Sequence, residues 1–438
     1  MSPKPRRNLD LLLLGTGTSS SIPLVGCLTS PETGCHCCRS TLNPNDKDGQ
    51  KNRRRNTSAV LRIKPDKASE DQSEKTVLID CGKTFLASAI DLWPKKGLRN
   101  IDAVILTHAH ADAILGLDDL RGWTLRGAIQ PSIPIYLTQE TFVEVSKAFP
   151  YLTNAGKATG GGDIPALTWH IFKDDEPFEL FGVEVMPLPV HHGKFFTTPP
   201  KPYFCLSFLF DSQILYMSDV SYIPTSVWET LGTRLRLPES TITSTSGAVA
   251  NGNTNGRPRG MGKENNKGQE DKPVLQALVI DCLRLEPFTS HFGLGQAVAT
   301  ARQLGVDKSY LFGFGHRTSH TLWLSACQAL STTPHPPSRY PSSPSIPIPP
   351  PTFTYELSSG HPDPRYEDVE VFRERALQAV ESWRVGAGAD EGGLGGREVE
   401  KDGEKVGGVW VRPAVDGMTI TTGERVGDDE YDGDTVEA

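Results

Sequence analysis

The residues best suited to chemistry stand in one short stretch, Ile105-Leu106-Thr107-His108-Ala109-His110-Ala111-Asp112-Ala113. An apolar run ends at Leu106, and His108, His110 and Asp112 follow at alternate positions in a turn that leads into a helix. Neutral imidazole and carboxylate are ligands for zinc and similar borderline metals, and alternation can aim all three at one point beyond a strand end. A lone His-x-His is weak evidence. It gains weight because other apolar runs end in the same way: Val185 to Val190 in His191-His192-Gly193, Ile214 to Met217 in Ser218-Asp219, and Tyr310 to Phe312 in the turn to Gly315-His316. Each places a His or Asp just past a strand, where loops collect function. Any one of them is more simply a satisfied polar residue, but together they read as one convergent site.

Two further groups attract notice. Leu278 to Ile280 runs into Asp281, and Ser290-His291-Phe292-Gly293 opens a helix; an imidazole titrating near neutrality suits proton transfer, and a plain helix-capping role is the simpler alternative. Four of the eight cysteines lie between Cys27 and Cys38. In a long chain with no recognisable secretion signal this favours thiols or a metal over a disulfide scaffold. The basic cluster Lys51, Arg53, Arg54 and Arg55 reads either as a phosphate contact or as a solvated loop.

The elements that must position these groups are short. Leu9 to Leu14, Ala59 to Ile63, Val77 to Ile79, Ala103 to Leu106, Ile133 to Leu137, Trp169 to Phe172, Val183 to Val190, Phe204 to Phe210, Gln213 to Met217, Ala277 to Ile280 and Ser309 to Phe312 read as strands. Helices are expected at Thr84 to Trp93, after His110, at Gln139 to Phe149, at Gly295 to Leu304 and at Tyr366 to Arg384; the last carries an apolar stripe of Val369, Phe372, Ala376, Val380 and Trp383. Strands outnumber helices and many follow one another directly, which favours an αβ protein of two mainly antiparallel sheets over a doubly wound parallel sheet.

The chain has 438 residues, with 42 Gly, 34 Pro and only 37% hydrophobic residues, so part of it lies outside any packed core. Four segments account for this. Residues 64–75 are polar, 237–273 are rich in Ser, Thr, Asn, Gly and Lys, 331–353 contain nine prolines, and 385–408 contain nine glycines. The net charge of −8 is concentrated in residues 424–438, where seven acids and one Arg contribute −6 and leave −2 for the rest. No apolar run is long enough for an ordinary membrane-spanning helix, and Leu11 to Leu14 is too short for a signal-peptide core, so a cytoplasmic or nuclear protein with no membrane association is expected.

The motifs, taken in order, resemble the metallo-β-lactamase-fold hydrolases, whose hallmark is Thr-His-x-His-x-Asp-His after a strand, followed by distant His, Asp and His ligands. Leu13-Leu14-Gly15-Thr16-Gly17-Thr18-Ser19-Ser20-Ser21-Ile22-Pro23 and Leu78-Ile79-Asp80-Cys81-Gly82 look like the branch that holds tRNase Z and, more closely, the PhnP-type cyclic phosphodiesterases. The resemblance covers roughly residues 1–236, 274–325 and 409–420, with Val411 to Ile420 similar to the closing strand of that branch. It implies a single four-layer αββα sandwich over 1–423, interrupted by disordered insertions at the four segments above and followed by an acidic tail at 424–438.

The same resemblance assigns roles. His108, His110 and His192 would bind one metal, and Asp112 and His316 a second, with Asp219 bridging. His192 is preferred to His191 because the family pattern has a His directly before Gly. Asp80 would steady the ligand loop. His291 would protonate the leaving oxygen or hold a phosphate, oriented by Asp281, so that His291, Asp281 and Asp112 form the catalytic set. Cys27, Cys35 and Cys38 with His320 would hold a separate structural zinc, with Cys37 as an alternative to Cys38. One departure matters: the last His of the hallmark is Ala113 here, which weakens the second site and leaves open one or two catalytic ions, zinc or manganese.

The activity implied is hydrolysis of small or cyclic phosphodiesters by metal-activated hydroxide. The alternatives are tRNA 3′-end processing, thioester or lactone hydrolysis, and a non-enzymatic scaffold with a degenerate site and a partner-recruiting Pro-rich segment. Nucleic acid is not favoured, because no folded basic insertion suited to gripping tRNA is evident; a homodimer is compatible with the sequence.

Overall fold

The computed structural model describes residues 7–30, 34–65, 73–237, 272–332, 368–386 and 409–431. Most of each segment marked by composition as coreless lies outside these, but the edges do not: Lys75 opens a strand, and Leu237 and Ser331 are buried. In chain order, β1 (Leu9–Gly15), β2 (Ser58–Ile63), β3 (Lys75–Ile79), β4 (Ala103–Ile105), β5 (Ile133–Leu137) and β6 (Leu167–Ile171) build most of a first sheet. A second sheet contains β7 (Phe178–Leu180), β8 (Val183–Phe195), β9 (Lys201–Phe210), β10 (Ile214–Met217), β11 (Ala277–Asp281), β12 (Lys308–Phe312) and β13 (Val411–Pro413). The chain then returns to the first sheet as β14 (Thr419–Thr422) and β15 (Gly427–Asp428), giving strand orders β15-β14-β1-β2-β3-β4-β5-β6 and β13-β12-β11-β10-β9-β8-β7.

The two sheets are mixed, which corrects the expectation of mainly antiparallel ones. The first is antiparallel from β15 to β3 and parallel from β3 to β6. The second is parallel from β13 to β10 and antiparallel from β10 to β7. Parallel neighbours need a crossover, and helices such as Phe85–Lys96 and Leu294–Leu304 provide it.

Burial on both faces of the strands explains the four layers. In β1, Leu9, Leu11 and Leu13 point into the core between the sheets, while Leu12 and Leu14 point outward beneath Phe85, Ala89, Leu92 and Trp93 of the helix Phe85–Lys96. In β10 and β11, Ile214, Tyr216, Ala277 and Val279 face the other sheet, and Leu215, Met217, Leu278 and Ile280 face outward. The helices Leu294–Leu304, His320–Thr332 and Val369–Gly386 cover that outer face with stripes such as Leu322, Trp323, Ala326, Cys327 and Leu330. A strand whose two faces are both covered has no polar alternation, hence the unbroken run of leucines. Burying each such leucine contributes about 1.5–3 kcal/mol. The architecture is therefore the αββα sandwich.

Some expected elements take a different form. The stretch Val411 to Ile420 is two strands: β13 pairs with β12 in the second sheet, and β14 pairs with β1 in the first. Between them Gly417 takes φ +91 and the half-buried Asp416 carboxylate accepts hydrogen bonds from Thr16 N, Thr16 Oγ1 and Arg55 N, tying the crossover to the Gly-rich turn after β1. The run expected to stop at Val190 continues through a register shift after His191 to Phe195, because Lys194 and Phe195 pair with Pro202 and Lys201 across a long hairpin. The start of the expected acidic tail belongs to the fold, since β15 lies within it and Tyr431 is buried, donating its hydroxyl proton to Pro413 O. The helices Thr225–Arg234 and His320–Thr332 are additional to those expected. Among the described residues no helix is long and apolar enough to cross a membrane.

Candidate metal and catalytic site

The site lies at one end of the sandwich, where β4, β10, β11 and β12 end and β8 bulges. Gly82 and Gly313 show how tightly the strand ends converge there. A Cβ on Gly82 would stand 1.6 Å from Asp112 O, so only glycine lets the loop after β3 pass the loop carrying the histidines. A Cβ on Gly313, at φ +79, would stand 2.5 Å from Asp281 Oδ1.

His108, His110 and His192 present ring nitrogens that all lie within 4.8 Å of one another. His108 is held from behind. Buried Asp80 accepts Thr107 N–H at 2.8 Å and the Thr107 hydroxyl at 2.7 Å, and that hydroxyl oxygen stands 2.8 Å from His108 Nδ1. With its proton given to Asp80, Thr107 Oγ1 is an acceptor toward His108, which fixes the Nδ1–H tautomer. His108 Nε2 is then a bare lone pair, and it is buried with no hydrogen-bond partner. His192 is fixed likewise: Nδ1 donates to Ser290 O at 2.7 Å, and Nε2 faces His110 Nδ1 at 3.2 Å. Ligand atoms at about 2.0–2.1 Å from a tetrahedral ion stand roughly 3.3–3.4 Å apart. An orphaned buried imidazole nitrogen and neighbouring nitrogens at near-tetrahedral spacing make this donor set fit a divalent cation. Burial, reinforced by the neighbouring imidazoles, holds His108 and His192 well below the usual histidine range, so both are neutral and able to ligate.

Asp219, just past β10, groups with His108 and Cys205 on one side and with His192 and His291 on the other. Burial raises its carboxyl to about 7, with Asp112 adding to the rise and His291 opposing it. His291 Nδ1 donates to Asp281 Oδ2 at 2.9 Å and lies 3.8 Å from Asp219 Oδ1. Burial opposes its charge, but Asp281, Asp219 and Asp112 prevail and raise it to about 9. Asp281 itself, the last residue of β11, is fully buried; it also accepts Val220 N–H and Phe292 N–H.

The structure brings His108, His110, His192, Asp219, His291 and Asp281 together, with Asp80 behind them. His191 turns away, its ring against Phe204 and Tyr222. Asp112 is near enough to influence His110, Asp219 and His291 but joins no metal-sized group among the described residues. Ala113 is buried in the apolar layer with Cys81 and Phe85.

His316 takes the place expected of His320 beside the cysteines, and His320 takes neither expected place. His316 is not with the catalytic cluster: its Nδ1 stands 3.4 Å from Cys27 Sγ, 3.5 Å from Cys35 Sγ and 3.8 Å from Cys38 Sγ. Edges of about 3.3–3.8 Å are those of a tetrahedron around zinc with nitrogen and sulfur ligands. His320 lies apart, buried, with Nε2 3.1 Å from Tyr431 Oη. The cause is the turn after β12, where fully buried Arg54 donates to Gly315 O at 2.8 Å and Thr318 O at 3.0 Å and so presents His316 to the cysteines. Cys38 rather than Cys37 joins them; Cys37 Sγ contacts Thr318 O. Hydrogen bonding from Cys38 holds the Cys35 thiol well below the usual thiol range despite burial, which favours ligation by its thiolate. The basic cluster is spent internally: Arg54 on this turn, Arg55 on Asp91, Lys51 on Glu430 and Arg53 on Gln50.

Sequence reasoning missed Cys205 and Tyr203. Cys205 Sγ is 3.6 Å from His108 Nδ1, and the Tyr203 ring stacks on His110 with centroids 4.5 Å apart and planes 5° apart. Their alternate spacing on β9 was the available signal.

Residues 75–250 match the model of the beta-lactamase superfamily domain. An octanoyltransferase of Porphyromonas gingivalis (strain ATCC BAA-308 / W83) is 30% identical over 187 residues, which is 42% of this chain and 31% of that protein. The chain thus spans about a third of that relative's length, and the name describes a protein lying mostly outside the matched stretch. Among solved structures, a diphosphatase of the PhnP family is similar with a TM-score of 0.48 and 25% identity, covering 72% of this chain and 89% of that one. The metallo-beta-lactamase fold protein YhfI from Bacillus subtilis is similar with a TM-score of 0.44 and 13% identity, covering 95% of this chain and 100% of that one.

Proposed function

We propose that the chain, whose residues 75–250 match the beta-lactamase superfamily domain, is a metal-dependent hydrolase of small phosphodiesters. The observation that carries this reading is the unpartnered, buried His108 Nε2, held in its tautomer by the Thr107–Asp80 relay and facing the nitrogens of His110 and His192. His108, His110, His192 and Asp219 would hold one divalent ion, zinc or manganese, which supplies Lewis acidity toward water and the phosphoryl group. Ala113 lies in the apolar layer and His316 at the cysteines, so neither can serve a second catalytic ion, and the reading is mononuclear. Cys27, Cys35, Cys38 and His316 would hold a structural zinc that pins the N-terminal loop beside the site.

The chain's own groups then divide the work. Asp80 and Thr107 hold His108, and Ser290 O holds His192. His291, kept protonated at neutral pH by Asp281, is the general acid. In the reaction a water oxygen bonds to phosphorus, the P–O bond to the leaving alcohol breaks, and the His291 proton goes to the departing oxygen. His291 is restored by the proton that water gives up, and the products are a phosphomonoester and an alcohol.

Turnover of bis(p-nitrophenyl) phosphate by metal-replete protein tests this, with His110→Ala as control. The expected result is metal-dependent release of p-nitrophenolate that falls at least a hundredfold in the variant. Equal rates in both proteins would remove the reading and leave a non-enzymatic scaffold.

A further inference from the structure

Two aromatic walls flank the histidines. In β9 alternate residues share a face, so Lys201, Tyr203 and Cys205 form one line running outward from His108. Cys205 touches His108, Tyr203 lies flat on His110, and Phe195, the cross-strand partner of Lys201, meets the Tyr203 ring edge-on at 5.2 Å. Phe195 is 49% exposed. On the opposite side His291 stands 5.0 Å from His192, and Phe288 lies 6.4 Å from His291 with the planes 22° apart. Phe288 is 46% exposed, with the Arg284 guanidinium 4.9 Å from its ring centre. The rings run without a break from Phe195 through Tyr203, His110, His192 and His291 to Phe288.

The two walls are not equivalent, because the acid belongs to one of them. A general acid must reach the leaving oxygen, so the departing alcohol lies on the His291 and Phe288 side. The substituent that stays on phosphorus then lies on the His110, Tyr203 and Phe195 side, where it meets a flat apolar surface. We propose that the site selects a phosphodiester anion whose retained substituent is a planar aromatic group, seated against Tyr203 and Phe195. Aromatic rings favour offset or edge-to-face partners of this kind, and large apolar side chains exposed beside convergent polar groups mark ligand sites. The inference rests on the phosphodiesterase reading for its orientation.

Phenyl p-nitrophenyl phosphate and ethyl p-nitrophenyl phosphate share a leaving group and differ only in what is retained. The wild type is expected to show a KM at least tenfold lower for the phenyl ester, equivalent to about 1.4 kcal/mol. Phe195→Ala should erase most of that ratio by raising KM for the phenyl ester, while Phe288→Ala should leave the ratio in place. Calorimetric binding of diphenyl phosphate and diethyl phosphate to the metal-loaded protein reads the same preference without turnover. A preference for diphenyl phosphate that Phe195→Ala removes, in a protein that turns over neither ester, would support the aromatic wall and overturn the phosphodiesterase reading alone. Equal affinity for the two diesters, or a preference untouched by Phe195→Ala, would overturn the inference.

Discussion

His291 owes its charge to Asp281, a carboxylate that β11 carries to the bottom of the site with one oxygen on the imidazole and the other buried without a partner. The folded-state pKa is raised to about 9, so the acid is present below that pH and is lost above it. Activity is therefore expected to hold through neutrality and to fall on a limb near pH 9. Asp281→Asn removes the first carboxylate that sustains the charge and should move that limb toward the ordinary histidine range, about 6.5, which a kcat profile from pH 5 to 10 would read. An unmoved limb would mean that another group supplies the proton. His108 and His110 were legible as residues because their alternation after an apolar run is local. The identity of the histidine beside the cysteines was not, since Gly315-His316 and His320 both follow β12 and the choice depends on buried Arg54, which joins a loop near the N-terminus to that turn.

At the scale of elements, the site depends on strand ends that meet at glycine. Gly313 leaves β12 at positive φ with Asp281 Oδ1 where a methyl would stand. Gly313→Ala combines an unfavourable backbone conformation with a steric clash, and is expected to cost about 1–3 kcal/mol and to lower kcat by displacing Asp281. Urea unfolding and steady-state kinetics on the same sample would read both effects; wild-type stability and kcat together would show that the strand ends are not so constrained. Strand positions such as β1, β2 and β10 were readable from their apolar runs, because both faces are buried. Pairing direction was not, since it depends on which strands are joined by crossover helices. Nor was the split of Val411 to Ile420 between two sheets, which turns on the contact of Asp416 with Thr16 and Arg55.

Over the whole molecule, residues 409–431 help close the sandwich. Tyr431 packs in the core between the sheets and meets His320 at the start of the helix His320–Thr332. Burial lowers His320 to about 3, with Arg54 and Lys51 reinforcing it. The unfolded chain, with its histidine near 6.5, therefore binds more protons than the folded one between pH 3 and 6.5, and this group's contribution to stability falls as pH drops through that window. The limiting slope is about 1.4 kcal/mol per pH unit. His320→Gln should flatten the pH dependence of the urea midpoint between pH 4 and 6.5 relative to wild type, and an identical dependence would contradict the burial argument.

Two ions are proposed, one at His108, His110 and His192 with Asp219 beside them, and another at Cys27, Cys35, Cys38 and His316. Metal content per chain, measured by plasma mass spectrometry on protein purified with zinc and manganese available, tests it most directly. Wild type should carry two ions, with one lost in His110→Ala and the other lost in Cys35→Ser. A wild type whose metal content is unchanged by His110→Ala would contradict the proposed catalytic centre.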